Sequence, residues 1–143
     1  VEVIPSGLPK QIIEEAGDKF LIDKDLKNEL PPARNKWGDK KIFGHTLVIG
    51  GSHGLTGALV MSSTAALKVG AGLVTASTWE PQYQEFMSRL IPEVMTGYVP
   101  LDQGKWGKIL KEINKYDSIV IGPGLGRSLR SRALVLEILN NFS

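Results

Sequence analysis

From Gly44 onward, short apolar runs rich in β-branched residues alternate with longer segments of helical periodicity. Strands that alternate with helices are joined by crossover connections, which build a parallel sheet covered by helices. The chain is therefore predicted to be an α/β protein with a mostly parallel sheet. The predicted strands are Thr46–Ile49, Leu73–Ser77, Glu93–Val99 and Ser118–Ile121, and the predicted helices are Gly57–Val69, Pro81–Leu90, Trp106–Lys115 and Ser128–Asn140.

Two glycine-rich segments follow predicted strands and precede predicted helices: Gly50–Gly57, the first turn, and Gly122–Gly126, the second turn. Ligands of parallel sheets bind at the carboxyl ends of the strands, where both turns are expected. Glycine allows positive φ angles, and the start of a helix offers unpaired N–H groups and a positive dipole end to an anion. The residues alone leave two interpretations open: a phosphate-binding site, or tight turns that only allow close packing.

Neither turn matches a common nucleotide-binding motif. The first turn lacks the Gly-Lys-Ser/Thr of a P-loop, and Arg127 stands where the third glycine of a dinucleotide fingerprint is required. Arg127, Arg130 and Arg132 lie near the start of the last predicted helix. They indicate either phosphate binding or an exposed cluster, and the exposed cluster is favoured for Arg130 and Arg132.

Other candidate residues are weaker. His45 and His53 have no evident third ligand, and the chain has no cysteine, so no metal site is predicted. His53 is interpreted as a solvated loop residue that could also donate to a phosphate. Asp117 is interpreted as a turn residue rather than a base, and Thr56 is predicted to cap the first helix of the sheet region.

Charge and composition exclude several classes of protein. The 17 basic and 15 acidic residues are interspersed, whereas a nucleic-acid-binding protein shows a basic stripe. The uncharged stretch Ile42–Leu67 contains glycines and both histidines, which argues against a membrane span. The absence of cysteine fits a cytoplasmic protein.

Five segments, taken in order, carry a resemblance to one known family. The segments are Gly44-His-Thr-Leu-Val-Ile-Gly-Gly-Ser52, Thr56-Gly-Ala58, Ala65-Ala-Leu-Lys-Val-Gly-Ala-Gly-Leu-Val-Thr75, Pro92-Glu93 and Ile121-Gly-Pro-Gly-Leu-Gly126. Together these segments resemble the ADP/ATP-dependent NAD(P)H-hydrate dehydratases, which have a ribokinase-like fold. The resemblance spans residues 38–143 and implies a ribokinase-like three-layer fold that is incomplete in this chain.

The resemblance implies an enzyme that removes water from the hydrate of NADH or NADPH. Members use ADP or ATP, with Mg²⁺, to turn the ring hydroxyl into a better leaving group. The resemblance further implies a cytoplasmic homo-oligomer that binds neither nucleic acid nor membrane. By the same resemblance, Thr56, Gly57 and Ala58 line the hydrate pocket, and Gly122, Gly124 and Gly126 contact the phosphates or ribose of the substrate.

The sequence departs from the family pattern in two respects. Asp39-Lys40-Lys41 stands where many members have His-Lys-Gly. The chain also ends before an Asp-Ala-Asp strand, a His-Pro-Gly-Glu loop and a Gly-x-Gly-Asp turn, so the catalytic aspartate is expected beyond Ser143. We therefore expect residues 44–143 to be the first part of a dehydratase domain, inactive without the other half, in cis or as a separate chain.

Residues 1–43 are expected to be a linker or arm that follows an epimerase-like domain. A short helix or turn is predicted there at Ile12–Phe20, and a second short helix at Asp23–Leu30, which Pro31-Pro32 ends. Two alternative functions remain open from the sequence. One is a different ribokinase-like kinase for a small alcohol, and the other is a non-catalytic nucleotide-binding subunit.

Overall fold

The computed structural model describes residue 11 and residues 37–142. Residues 34–143 form the second of two compact units of the chain. The predicted elements Ile12–Phe20 and Asp23–Leu30 lie outside the described residues.

Four strands form one sheet in the described part of the chain: β1 (His45–Ile49), β2 (Leu73–Trp79), β3 (Met95–Val99) and β4 (Ser118–Ile121). All neighbouring pairs are parallel, and the spatial order is β3-β2-β1-β4. Leu47 of β1 lies opposite Thr75 of β2 on one side and Ile119 of β4 on the other. The parallel sheet expected from the alternating pattern is thus confirmed.

The helices are close to the predicted ones, but two are interrupted. The segment predicted as Pro81–Leu90 is a 3₁₀ turn followed by a short α-helix, and Trp106–Lys115 holds a short α-helix that ends in a 3₁₀ turn. Such turns are common at helix ends, and here Ile113 must also enter the core before β4 begins. The α-helices are α1 (Thr56–Val69), α2 (Tyr83–Met87), α3 (Gly107–Glu112) and α4 (Leu129–Asn141), and the 3₁₀ turns are Lys40–Phe43, Glu80–Gln82, Gln103–Lys105 and Ile113–Lys115.

Side chains of the sheet alternate between two apolar layers, as expected for strands buried on both faces. Val48 of β1 packs with Leu59 of α1 and Phe86 of α2. Its neighbours Leu47 and Ile49 point to the opposite side, into the layer that α3 and α4 complete. The result is a three-layer α/β unit.

No helix in residues 37–142 has both the length and the apolar character needed to cross a bilayer. The sheet is not evenly covered either. Val120 of the outer strand β4 is 42% exposed, whereas its neighbours Ile119 and Ile121 pack into the layer of α3 and α4. The α1 side of β4 is therefore open within the described residues.

Candidate functional site

The two glycine-rich turns lie side by side, because β1 and β4 are adjacent parallel strands. The second turn continues the pairing beyond the sheet. The N–H of Gly122 donates to the carbonyl of Ile49 (3.0 Å), the N–H of Gly51 donates to Pro123 (2.9 Å), and the N–H of Ser52 donates to Gly124 (2.6 Å). The turns therefore form one backbone-bonded unit at the carboxyl ends of the strands.

Two glycines are required by this close approach. A Cβ on Gly50 would lie 2.0 Å from the carbonyl oxygen of Pro123. A Cβ on Gly124 would lie 2.3 Å from the carbonyl oxygen of Leu55, and Gly124 also has a φ of +63°. At these two positions glycine allows close packing of the turns, which is one of the two interpretations that the sequence leaves open.

Gly57 is different, because a Cβ there would meet no atom of another described residue within 4 Å. Its φ is not positive, so the backbone does not need glycine either. Glycine in a helix costs stability relative to alanine. Gly122 also faces open space, although its φ is +129°. The surface of the paired turns is thus bare at Gly57 and Gly122.

Several N–H groups on this surface are not used by the fold. Within residues 37–142, no hydrogen bond involves the N–H of Gly57, Gly124 or Gly126. Gly57 lies in the first turn of α1, where the dipole is positive and N–H groups have no helical acceptor. These groups are available to an anion.

The side chain of Thr56 does not serve the predicted purpose. Leu55 occupies the N-cap of α1, and no side chain caps the helix there, so the prediction that Thr56 caps it is wrong. Thr56 is instead the first helical residue and fully buried, with its hydroxyl donating to Glu85 Oε1 (3.1 Å). Arg89 pairs with Glu85 (3.2 Å) and donates to the Thr56 hydroxyl (3.4 Å). The start of α1 is thereby tied to α2.

A cavity of about 370 Å³, which we call the Arg127 cavity, adjoins the second turn. Its lining combines the basic side chain of Arg127 with the indole of Trp79. The indole N–H of Trp79 donates to the carbonyl of Leu125 (3.4 Å), which also accepts from the Ser131 hydroxyl (2.9 Å). The residues that line the cavity include Ser52, Trp79, Leu101, Gly126, Arg127 and Arg130. This arrangement suits an anionic ligand with an apolar part.

The other arginines and the start of α4 fall close to their expected places. Ser128 caps α4, since its hydroxyl oxygen accepts the N–H of Ser131 (3.1 Å). Arg127, Arg130 and Arg132 are all exposed. For Arg130 and Arg132 this agrees with the exposed cluster that the sequence favours.

His45 lies at the opposite end of β1 from the paired turns. Its ring is 2.8 Å from the Thr75 hydroxyl through Nε2 and packs edge-on against Tyr116. Burial lowers the pKa of His45, the charge of Lys115 lowers it further, and Asp117 opposes both. The Asp117 carboxylate accepts the N–H of His45 (2.7 Å), and Asp117 itself lies in a bend directly before β4, as expected of a turn residue.

His53 is exposed within the first turn, as the sequence predicts. Glu93 is also exposed and precedes β3, which begins at Met95 rather than at Glu93. Sequence reasoning missed the contact between Thr56 and Glu85. The spacing of Glu85 and Arg89 by four residues predicts their ion pair, but no local pattern points to Thr56 as their partner.

Comparison with known proteins identifies the relatives of this chain. Residues 46–143 match the NAD(P)H-hydrate dehydratase family. The chain is 34% identical over 148 residues to the bifunctional NAD(P)H-hydrate repair enzyme of Moorella thermoacetica, with 97% of this chain and 27% of that protein covered. It is also 34% identical to the ADP-dependent (S)-NAD(P)H-hydrate dehydratase of Staphylococcus aureus, over 86% of this chain and 43% of that protein.

Solved structures agree on the fold. A ribokinase-like superfamily protein of Enterococcus faecalis superposes with a TM-score of 0.70 at 28% identity, over 85% of this chain and 41% of that one. The ADP/ATP-dependent NAD(P)H-hydrate dehydratase of Bacillus subtilis, co-crystallised with ATP and Mg²⁺, superposes with a TM-score of 0.62 at 21% identity, over 83% and 40%.

The chain therefore has a ribokinase-like α/β fold, as the sequence predicts, and spans only 27% and 43% of the length of the two curated relatives named above. With the family matched over residues 46–143, the chain belongs to the NAD(P)H-hydrate dehydratase family.

Proposed function

We propose that this chain forms the substrate side of a nucleotide-dependent NAD(P)H-hydrate dehydratase, with residues 44–143 as the first part of that domain and 1–43 as a linker. The observation that carries the proposal is the backbone-bonded pair of turns, which leaves N–H groups unused on a bare surface. The relatives supply the reaction, since the Staphylococcus aureus protein is named an ADP-dependent (S)-NAD(P)H-hydrate dehydratase.

A dinucleotide substrate is anionic, and the surface of the paired turns offers N–H donors and a nearby arginine. Its pyrophosphate needs several donors in fixed positions, and backbone N–H groups at helix starts provide them without the loss of side-chain freedom. The N–H groups of Gly124 and Gly126 are assigned to the phosphates or ribose, together with the bare surface at Gly122. Arg127 at the adjoining cavity adds a charge that matches the phosphates.

The hydrate ring is assigned to the first turn. Gly57 leaves space beside the start of α1, and Ala58 keeps the next side chain small. The Thr56 hydroxyl already donates to Glu85 and the whole residue is buried, so Thr56 is assigned the role of positioning Gly57 and Ala58 beside the ligand. The bond to Glu85 fixes the start of α1 against α2, so that Thr56, Gly57 and Ala58 keep one orientation.

The chemistry assigned to this side is positioning. Hydroxide leaves a ring poorly, and a phosphorylated hydroxyl leaves readily, so the reaction needs the hydroxyl held in line with the phosphate of ADP or ATP. The turns orient the substrate for that transfer. The transfer itself requires a catalytic aspartate, which we assign to the remaining part of the domain, in cis or on a separate chain.

The described residues offer no cluster of metal ligands. Among residues 37–142 there is no group of three or more acidic or histidine side chains that could hold a metal ion. We therefore assign no metal ligand to this part of the chain and route no step through one.

A chimera tests the proposal. The segment of the Moorella thermoacetica enzyme that aligns with this chain is replaced by this chain, and NADPH hydrate and ADP are supplied. We expect recovery of dihydropyridine absorbance within about tenfold of the parental rate, which is a change of about 1.4 kcal/mol in the barrier.

Product analysis separates this function from the alternative kinase. A dehydratase releases free phosphate and NADPH, whereas a kinase accumulates a phosphorylated product. A chimera that folds and binds ADP but neither restores NADPH nor releases phosphate would contradict the proposed function.

A further inference from the structure

A second cavity, of about 360 Å³, lies between β1, β2 and β3 of the sheet on one side and α3 on the other. We call it the hydroxyl cavity. It shares no residue with the Arg127 cavity. Its polar lining includes Thr75, Ser77, Tyr83, Thr96, Lys105 and Lys108.

The floor of the hydroxyl cavity contains an unused hydroxyl. Ser77 is 9% exposed, and within residues 37–142 its side chain makes no hydrogen bond. Its neighbours are partnered: Thr75 with His45 (2.8 Å), and Tyr83 with Thr96 (3.0 Å).

The Ser77 hydroxyl is also kept accessible. In the described residues, every fully buried polar side-chain atom has a hydrogen-bond partner. The Ser77 Oγ has no partner among these residues, so it is not fully buried, and the cavity that it lines is the route to it. A Cβ on Gly97 would lie 2.7 Å from that oxygen, so glycine at this position leaves the hydroxyl uncovered. A nearly buried hydroxyl without a protein partner is costly unless a bound molecule satisfies it.

The rim of the hydroxyl cavity is cationic. Lys105 and Lys108 line it, and no carboxylate among the described residues lies within ion-pair distance of either ammonium. Glu112 lies on the same rim but is paired with Lys115, at 2.7 Å. That bond holds the pKa of Glu112 below its ordinary value, with smaller contributions from the charges of Lys115 and Lys108. Two ammonium groups thus remain for an anionic group of a ligand.

The walls of the hydroxyl cavity are aromatic and aliphatic. Tyr83, Tyr98 and Tyr116 contribute rings, and the first two meet edge-to-face with centroids 5.5 Å apart. Leu47 and Val99 add aliphatic surface. Walls of this kind bury a flat aromatic ring well.

We propose that the hydroxyl cavity binds an aromatic molecule that carries a single anionic group. The ring lies between the tyrosines, the anionic group meets Lys105 and Lys108, and a polar atom of the ring bonds to Ser77. This site is independent of the proposed dehydratase function, because it uses none of the residues assigned to the substrate.

The test uses isothermal titration of the full chain with two pairs of probes. One pair is 4-hydroxybenzoate and its neutral analogue 4-hydroxybenzamide, and the other is AMP and adenosine. In at least one pair we expect the anion to bind about tenfold more tightly than its neutral partner. The pair that shows the difference tells whether the ligand is a simple aromatic acid or a mononucleotide.

Variants of the lining residues test whether the probes bind in the hydroxyl cavity. The double variant Lys105→Gln/Lys108→Gln is expected to remove the preference for the anion, and Ser77→Ala is expected to weaken binding about threefold or more. Lys111→Gln is the matched control, because Lys111 lies on α3 without lining the cavity. Absence of binding by both anions to the folded chain, or binding that the double variant leaves unchanged, would overturn the proposal.

Discussion

Replacing Gly57 with alanine tests whether this glycine is needed for ligand binding or for the fold. The new methyl group would meet no described neighbour within 4 Å, and the backbone φ is not positive. Alanine favours a helix over glycine by about 1 kcal/mol in the interior, and we expect about half of that in the first turn. Gly57→Ala should therefore raise the melting temperature by about 1–2 °C.

The same substitution should weaken the binding of NADPH, although it stabilises the fold. The methyl group would occupy the space beside the free N–H groups at the start of α1, where the substrate is proposed to lie. Loss of one hydrogen bond to a charged group costs about 1.5–3 kcal/mol, which weakens affinity about ten- to hundredfold. Calorimetric titration of the folded chain with NADPH measures this effect, and thermal unfolding measures the stability.

Gly107 provides the matched control. It is the first residue of α3, and a Cβ there also meets no described neighbour within 4 Å. Gly107→Ala should gain similar stability and bind NADPH as the parent does. If Gly57→Ala bound NADPH as tightly as Gly107→Ala, the argument that Gly57 is kept bare for a ligand would be refuted.

Three further predictions concern stability. Gly124→Ala should destabilise the chain by about 2 kcal/mol or more in urea unfolding, because a Cβ would collide with the Leu55 carbonyl at a positive φ. Thr56→Val should cost about 1–3 kcal/mol in the same assay, since Glu85 loses a donor, and an unchanged midpoint would contradict that role. The lowered pKa of His45 means that the unfolded chain binds more protons, so stability should be full above pH 6.5 and fall as the pH drops below it. His45→Gln should reduce that pH dependence, measured as the free energy of unfolding against pH.

Much of the fold could be predicted because its signals are local. The apolar run at Ser118–Ile121 forms a strand with the predicted bounds, and α1 ends at Val69, as predicted. Parallel order placed both turns at one end of the sheet without any knowledge of tertiary contacts. Helix ends were predicted less accurately, since the segment predicted as the helix Pro81–Leu90 divides into a 3₁₀ turn and a short helix.

The details of the candidate site depend on contacts between distant residues. Gly51 and Pro123 are bonded across the two turns, and no local pattern in either segment indicates that pairing. Thr56 has the residue type of an N-cap, but burial against α2 directs its hydroxyl to Glu85. Ser77 looked like the last residue of a strand, and its unused hydroxyl became visible only with the opposing Gly97 in place.

The paired turns are proposed to bind the substrate through free backbone N–H groups. Amide NMR of the chain during titration with NADPH tests this binding mode most directly, since each glycine N–H gives its own signal. We predict the largest shifts at Gly57, Gly124 and Gly126, with Gly107 unchanged. Saturable binding that leaves those three signals in place and shifts residues elsewhere would contradict the proposed binding mode.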